Sequence, residues 1–278
     1  MWMCSSIWAG TRHGTDCESS PAAPVQVTHF AYPNTTGLQA MDYRLTDATA
    51  DPPGSEVLYV EKLVALPDVA WCWRPPDDAP DIAPLPAGDN GPITFGCLNN
   101  VAKITEPSIA LWARVLHAIP DSRLIVLGGK SRGAVAHVRE WLARHGIGER
   151  SEVLPRMPSA EYYAAHHRID LALDTSPYNG GVTTCDALWM GVPVISLVGK
   201  TYAARQGASI LRSVGIPELA AKSGDEFVTV CADWAAHRQR LRAIRAGLRD
   251  RLRASPLLDF QTFTRHLEAA YRRMIQSL

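Results

Sequence analysis

The run Leu171-Ala-Leu-Asp-Thr-Ser-Pro-Tyr-Asn-Gly-Gly-Val-Thr-Thr-Cys-Asp-Ala-Leu-Trp-Met-Gly-Val-Pro-Val-Ile-Ser-Leu197 decides the fold. Leu171–Leu173 is a short apolar strand. A glycine pair follows, then a helix over Thr183–Met190, then a second apolar strand over Val192–Leu197. Two apolar strands joined through a helix pair in parallel and are covered on both faces. The pattern continues outward. Ile93–Leu98 and Arg123–Leu127 read as strands, and Val153–Leu154 as a short one. Pro107–Ala118 reads as a helix with Ile109, Leu111, Trp112, Val115 and Leu116 turned inward; Val135–His145, Ala160–His167 and Tyr202–Val214 are further helices. The expected class is α/β: one complete Rossmann-like lobe with a parallel sheet over residues 93–222, whose ligands sit beyond the carboxyl ends of the strands.

The flanks read differently. Residues 1–24 are small, polar and aperiodic, and a poorly ordered segment is expected there. Residues 25–92 hold short apolar pieces: a strand at Val25–Phe30, a loop at Tyr32–Gly37, and a short helix running into a strand over Glu56–Leu66. Trp71 and Trp73 alternate like a strand and read as packing residues. From Arg74 to Pro92 prolines recur; they remove backbone donors and block helix, so this stretch reads as a linker. Residues 223–278 read as helices, over Phe227–Arg253 and Phe260–Gln276. The arginines between Arg238 and Arg253 read as an exposed helix face.

Lys+Arg and Asp+Glu are each 28, so there is no basic excess, which argues against a general nucleic-acid or membrane-surface binder. The six cysteines are scattered without a C-x-x-C pair, which disfavours zinc and a disulfide framework and suggests reduced thiols in the cytoplasm. No run approaches the ~20 apolar residues of a membrane span. His166 and His167 are helix neighbours that point in different directions, so packed or solvated histidines are expected rather than a shared metal.

Two strand ends carry chemistry. Leu98-Asn-Asn-Val-Ala-Lys103 places a cation just past a strand. Lysine is a point charge with three donors, suited to a phosphate, although a single such lysine reads more simply as a solvated loop residue. The second is the Asn179–Asp186 turn. Glycines let the backbone approach a ligand, and free N–H groups at a helix start favour anions. Thr183 and Thr184 add hydroxyls, and Asp186 is placed to accept from ribose hydroxyls. An ordinary capped helix fits the same residues equally well. The turn is neither a Walker loop nor a G-x-G-x-x-G dinucleotide motif. With no D-x-D in the chain, a leaving diphosphate would rest on helix N–H groups and side-chain cations, here Lys103 and the 180–184 loop, without a metal or cofactor.

Several blocks together resemble a known family. Asn34-Thr-Thr-Gly-Leu, Met41-Asp-Tyr-Arg, Asp51-Pro-Pro-Gly, Glu61-Lys-Leu and Leu66-Pro are similar to the run before the C-terminal lobe of bacterial SPINDLY/O-GlcNAc transferase-like proteins, family 41 of the glycosyltransferases. Phe95-Gly-Cys-Leu-Asn-Asn with Lys103, Leu173-Asp-Thr-Ser-Pro-Tyr-Asn-Gly-Gly, Cys185-Asp-Ala-Leu-Trp-Met-Gly-Val-Pro-Val and Ala204-Arg205 are similar to the lobe itself. The resemblance implies a GT-B architecture of two Rossmann-like lobes, with residues 25–92 as a remnant of the N-terminal lobe and the linker. It implies a UDP-sugar donor, a protein or peptide acceptor, and inverting, metal-independent transfer of N-acetylglucosamine or a related hexose to Ser or Thr hydroxyls.

By position, Lys103 matches the essential lysine on the diphosphate and Asn100 a phosphate-contacting glutamine. Gly180, Gly181, Val182, Thr183 and Thr184 match the phosphate-binding turn, and Asp186 the ribose-binding aspartate. Met157 matches a backbone contact to uracil, and Tyr162 the ring that stacks on it. Departures accompany the match. Gly181 stands where animal members have His, Val182 replaces a usual Thr, and His29-Phe30-Ala31 replaces Trp-Leu-Gly. The family's long N-terminal lobe, with its histidine near the sugar, has no counterpart here. An N-terminally truncated chain is therefore expected, with a non-catalytic UDP-binding module as one alternative and another GT-B transferase or a sugar-nucleotide epimerase as the other.

Overall fold

The computed structural model describes residues 23–29, 32–129 and 131–277. The expectation for residues 1–24 falls almost wholly outside them, as do Phe30 and Ala31. Six parallel strands form the main sheet: β4 (Thr94–Cys97), β5 (Arg123–Leu127), β6 (Ser151–Leu154), β7 (Leu171–Leu173), β8 (Val194–Leu197) and β9 (Ala220–Ala221). Their order is β6-β5-β4-β7-β8-β9, every pairing parallel. The chain runs outward from β4 to β6 on one side and then from β7 to β9 on the other. The order therefore reverses between β4 and β7, and in a doubly wound sheet the ligand crevice opens at that reversal.

Helices cover both faces. α1 (Glu106–Ala118) starts where Thr105 Oγ1 accepts from Ser108 N at 3.3 Å, with proline in the first turn. Its inner side is sealed: Ile109, Trp112, Val115 and Leu116 are fully buried. α2 (Arg132–Arg144) is capped by Ser131, and α3 (Ser159–Ala165) follows β6. α4 (Val182–Trp189) is buried from Thr184 to Trp189. Each fully buried Leu, Ile or Val contributes about 1.5–3 kcal/mol relative to exposure.

Several sequence expectations need correction. Val25–Phe30 is a strand only at β1 (Val27–Thr28). Residues 202–214 are not one helix: a 3-10 turn at Tyr202–Ala204 precedes α5 (Gln206–Ser213), because Arg205 has left helical geometry at φ −124°. Residues 227–253 divide at His237 into α6 (Gly224–Ala236) and α7 (Arg238–Arg253). Trp71 and Trp73 lie outside any strand, both buried at 6% exposure.

The α7 arginines divide: Arg240, Arg251 and Arg253 are exposed, as expected, whereas the other four are not a solvated face. Arg238, Arg242, Arg245 and Arg249 recur at spacings of three and four, which puts them on one side of the helix. Arg238 donates to Gly91 O at 3.0 Å, Arg245 to Ala83 O at 2.8 Å and Arg249 to Pro80 O at 2.7 Å. Arg242 pairs with Asp89 at 2.6 Å. The proline-rich segment has carbonyls in excess of N–H groups, and this arginine ladder supplies the missing donors. The segment thus lies strapped along the helix instead of hanging as a free linker.

A second, smaller parallel sheet has the order β1-β2-β3, with β2 at Tyr43–Asp47 and β3 at Lys62–Leu66. Its core is shared with α8 (Phe260–Gln276): Leu45, Leu66, Ala270 and Met274 pack together. Polar ties join the small sheet to the large one. Asp47 accepts from Ser209 Oγ at 2.8 Å, and Arg205 donates to Ala50 O and Ser55 Oγ at 3.2 Å each.

Candidate functional site

The crevice between β4 and β7 is built from two loops. After β4, Asn99 is buried and Asn100 caps a 3-10 turn over Val101–Lys103, its Oδ1 accepting from Ala102 N at 3.0 Å. That turn swings Lys103 across the crevice. Its Nζ donates to Asn179 O at 2.9 Å and lies 3.8 Å from the centroid of the Tyr178 ring. Burial lowers the Lys103 pKa, and the nearby charge of Asp174 opposes that shift.

After β7, Asp174 organises the second loop. One carboxylate oxygen accepts from Thr175 N at 2.8 Å and Gly180 N at 2.7 Å; the other accepts from Ser196 Oγ at 2.7 Å. Burial raises Asp174 to about 6 against the pull of these donors. Thr175 and Asn99 link the loops, Asn99 Nδ2 donating to Thr175 Oγ1 at 2.8 Å. Thr183 Oγ1 donates to Asn99 Oδ1 at 3.2 Å. Gly181 is the N-cap of α4 and offers no side-chain cap. As at any helix start, the first N–H groups of α4 lack partners within the helix. A half-buried ammonium and an uncapped helix start therefore share one crevice, an arrangement suited to a polyanion.

Asp186 sits one turn into α4 at 4% exposure. Tyr163 OH donates to one of its oxygens at 2.9 Å and Tyr162 OH to the other at 3.1 Å. Burial lifts Asp186 to about 6, against these two hydrogen bonds. The rings of Tyr162, Tyr163 and His166 pack together, Tyr162 edge-on to both neighbours. Among the described residues no group of three or more His, Cys, Asp or Glu side chains is placed to hold a metal, and no helix is long and apolar enough to cross a membrane.

The model of glycosyltransferase family 41 matches residues 85–267. The chain belongs to glycosyltransferase family 41. It is 42% identical over 258 residues to a probable UDP-N-acetylglucosamine–peptide N-acetylglucosaminyltransferase SPINDLY of Hordeum vulgare, covering 91% of this chain and 27% of that protein. The corresponding protein of Arabidopsis thaliana is 41% identical over 256 residues, covering 91% of this chain and 28% of that one. The chain thus spans about a quarter of the length of the curated relatives it matches. Among solved structures, a single-substitution mutant of the Thermobaculum terrenum O-GlcNAc transferase superposes with a TM-score of 0.83 at 40% identity, covering 91% of this chain and 48% of that one. Sucrose-phosphate synthase from Thermosynechococcus elongatus shares the fold at a TM-score of 0.57 and 15% identity, over 86% of this chain and 59% of that one. The architecture of this family 41 chain is GT-B α/β.

Of the residues named from sequence, Lys103, Gly180, Gly181, Thr183 and Thr184 meet around the crevice, joined by Asn100 at the turn and Val182 at the helix start, 54% exposed. Asp186 and Tyr162 form a second cluster, hydrogen-bonded to each other. Met157 lies between β6 and α3, half-buried against the main core. Sequence reasoning passed over Asn99, Asp174, Thr175 and Tyr163, which hold the two loops and the Asp186 carboxylate in place. The one available signal was position: Asn99 and Asp174 each directly follow an apolar strand run. A concavity of about 1480 Å³ opens at the opposite end of the sheet, beside Thr94, Arg123 and Ser151. It contains none of these residues.

Proposed function

We propose that this chain forms the donor side of a protein O-glycosyltransferase. It binds a UDP-sugar and serves the transfer of N-acetylglucosamine, or a related hexose, to Ser or Thr hydroxyls of a protein or peptide, with inversion and without a metal. One observation carries the reading: the Lys103 ammonium is held at Asn179 O, beside the uncapped start of α4. In this reading the diphosphate displaces the Asn179 carbonyl and the Tyr178 ring as partner of Lys103. Lys103 and the Val182 and Thr183 N–H groups then take up the charge that grows on UDP as the glycosidic bond breaks. Preorganised donors of that kind supply a large share of enzymatic rate enhancement. Asp186 receives the ribose hydroxyls, Tyr162 and the Met157 backbone face the base, and Asn100 lies at the phosphate end. The names of the SPINDLY relatives, which specify UDP-N-acetylglucosamine and a peptide acceptor, support the substrate classes.

The test is transfer of labelled sugar from UDP-N-acetylglucosamine to protein in a lysate, with and without a chelator. Transfer is expected with and without the chelator, and Lys103→Ala is expected to lower turnover by about 10²–10³, the usual effect of deleting a donor to a developing anion. An unchanged rate in that variant would refute the role of Lys103. UDP binding without transfer under any condition would reduce the function to donor binding.

A further inference from the structure

Gly181 is the N-cap of α4 and is buried. Its φ of −120° is not left-handed, so a positive φ does not explain the glycine. Space does. A Cβ on Gly181 would stand 2.6 Å from Cη2 and 3.1 Å from Cζ2 of Trp71, and 3.1 Å from Gln206 Oε1. Ordinary contacts begin near 3.4 Å. The blocking atoms are the far edge of a rigid indole, itself 6% exposed and part of the main core, so the ring has little room to yield.

Trp71 does not come from the main sheet. It follows β3 of the small sheet and precedes the proline-rich strap. Its ring edge therefore reaches out of one unit and stops against the phosphate turn of the other. On the other side of the turn, Gly180 is pinned by its N–H to Asp174. A Cβ on Gly180 would meet Thr184 Oγ1 at 2.4 Å and Thr183 Oγ1 at 2.8 Å. Neither glycine thus has room for a side chain: hydroxyls and the Asp174 carboxylate crowd Gly180, and the indole crowds Gly181.

Resting on the donor-site reading, we propose that Trp71 is a positioning residue for the donor diphosphate. Its indole edge sets the height of the Gly180–Gly181 turn, which aims the first N–H groups of α4 at the anion beside Lys103. The same contact requires glycine at 181. Trp71 touches no substrate; it acts through the backbone it supports.

Calorimetry with UDP and uridine on the whole chain tests this, the ratio of the two affinities reporting the diphosphate contribution. In the unaltered chain UDP is expected to bind more tightly than uridine. Gly181→Ala is expected to lower that ratio by about tenfold, a 1.4 kcal/mol loss, and to leave uridine affinity unchanged. Trp71→Phe removes the outer ring edge, and Trp71→Phe combined with Gly181→Ala is expected to regain most of the ratio. A structural defect alone would weaken both ligands together and would not be rescued. An unchanged ratio in Gly181→Ala overturns the proposal, and so does a folded double variant that does not regain the ratio; in either case the donor-site reading stands. If Gly181→Ala does not fold, a double variant that folds and regains the ratio supports the proposal, and one that folds without it overturns it. UDP binding no tighter than uridine in the unaltered chain overturns the donor-site reading, and the proposal with it.

Discussion

Replacing Arg245 with methionine tests whether the arginine ladder of α7 holds the proline-rich strap in place. Arg245 is 2% exposed, donates to Ala83 O at 2.8 Å and to Ile169 O at 2.9 Å, and leaves Nη2 without a partner. Burial lowers its pKa to about 10, with the charge of Asp170 opposing. Methionine keeps much of the aliphatic stem and removes the cation. Two hydrogen bonds from a charged donor contribute about 1.5–3 kcal/mol each, and the unpaired Nη2 offsets about 1–3 kcal/mol of that. The expected net loss is about 3 kcal/mol. At about 2–4 °C per kcal/mol for a chain of this size, the melting temperature should fall by about 6–12 °C. Arg242→Met is the internal control. Its pair with Asp89 is 40% and 78% exposed, so about 0–1 kcal/mol is expected. Circular dichroism melts and urea titrations of both variants measure the contrast. Equal effects, or a loss below about 1 kcal/mol for Arg245→Met, would show that the strap is held by something else.

Other outcomes follow from the same geometry. Burial lifts Asp186 and Asp174 to about 6, above the ordinary carboxylate value near 3.9. Between about pH 4 and 6 the folded chain keeps these protons and the unfolded chain releases them, so their contribution to stability falls as pH rises through that window. Asp186→Asn should therefore show a smaller drop in urea midpoint from pH 4 to pH 7 than the unaltered chain; an equal drop would contradict this. Tyr163→Phe removes a hydrogen bond that favours the Asp186 carboxylate, so carbon NMR of that carboxyl should show its titration moving upward, and no upward movement would refute the role of that bond. Gly207→Ala drives a Cβ to 2.2 Å from Ser196 Oγ and 2.8 Å from Asp174 Oδ2; a loss of about 1–3 kcal/mol is expected in urea titration, and a neutral result would mean that the loop around Asp174 yields easily.

The main sheet was legible because β4, β5, β7 and β8 are apolar runs between amphipathic helices, the pattern that two-sided burial demands. β9 was not, since two alanines carry no periodic signal. The break at His237 was hidden because α6 and α7 bury similar apolar faces on either side of it. The role of Arg238, Arg245 and Arg249 was hidden for a physical reason: in sequence, a cation donating to buried carbonyls looks the same as one in water. Lys103 and the glycine turn were visible at the strand ends. What the sequence hid was support: Asn99, Asp174 and Tyr163 act through contacts made across the crevice or between helices.

The shared core of β2, β3 and α8 bears on the order in which the molecule assembles. Leu45 and Leu66 find Ala270 and Met274 only after roughly 200 intervening residues, which at about 5–20 residues per second take about 10–40 s to synthesise. During that interval every strand of the main sheet is synthesised. The small sheet's apolar face stays open meanwhile, and transiently exposed apolar surface of that kind invites aggregation. Nascent chains held short of residue 260 should therefore be the species that most needs chaperone cover.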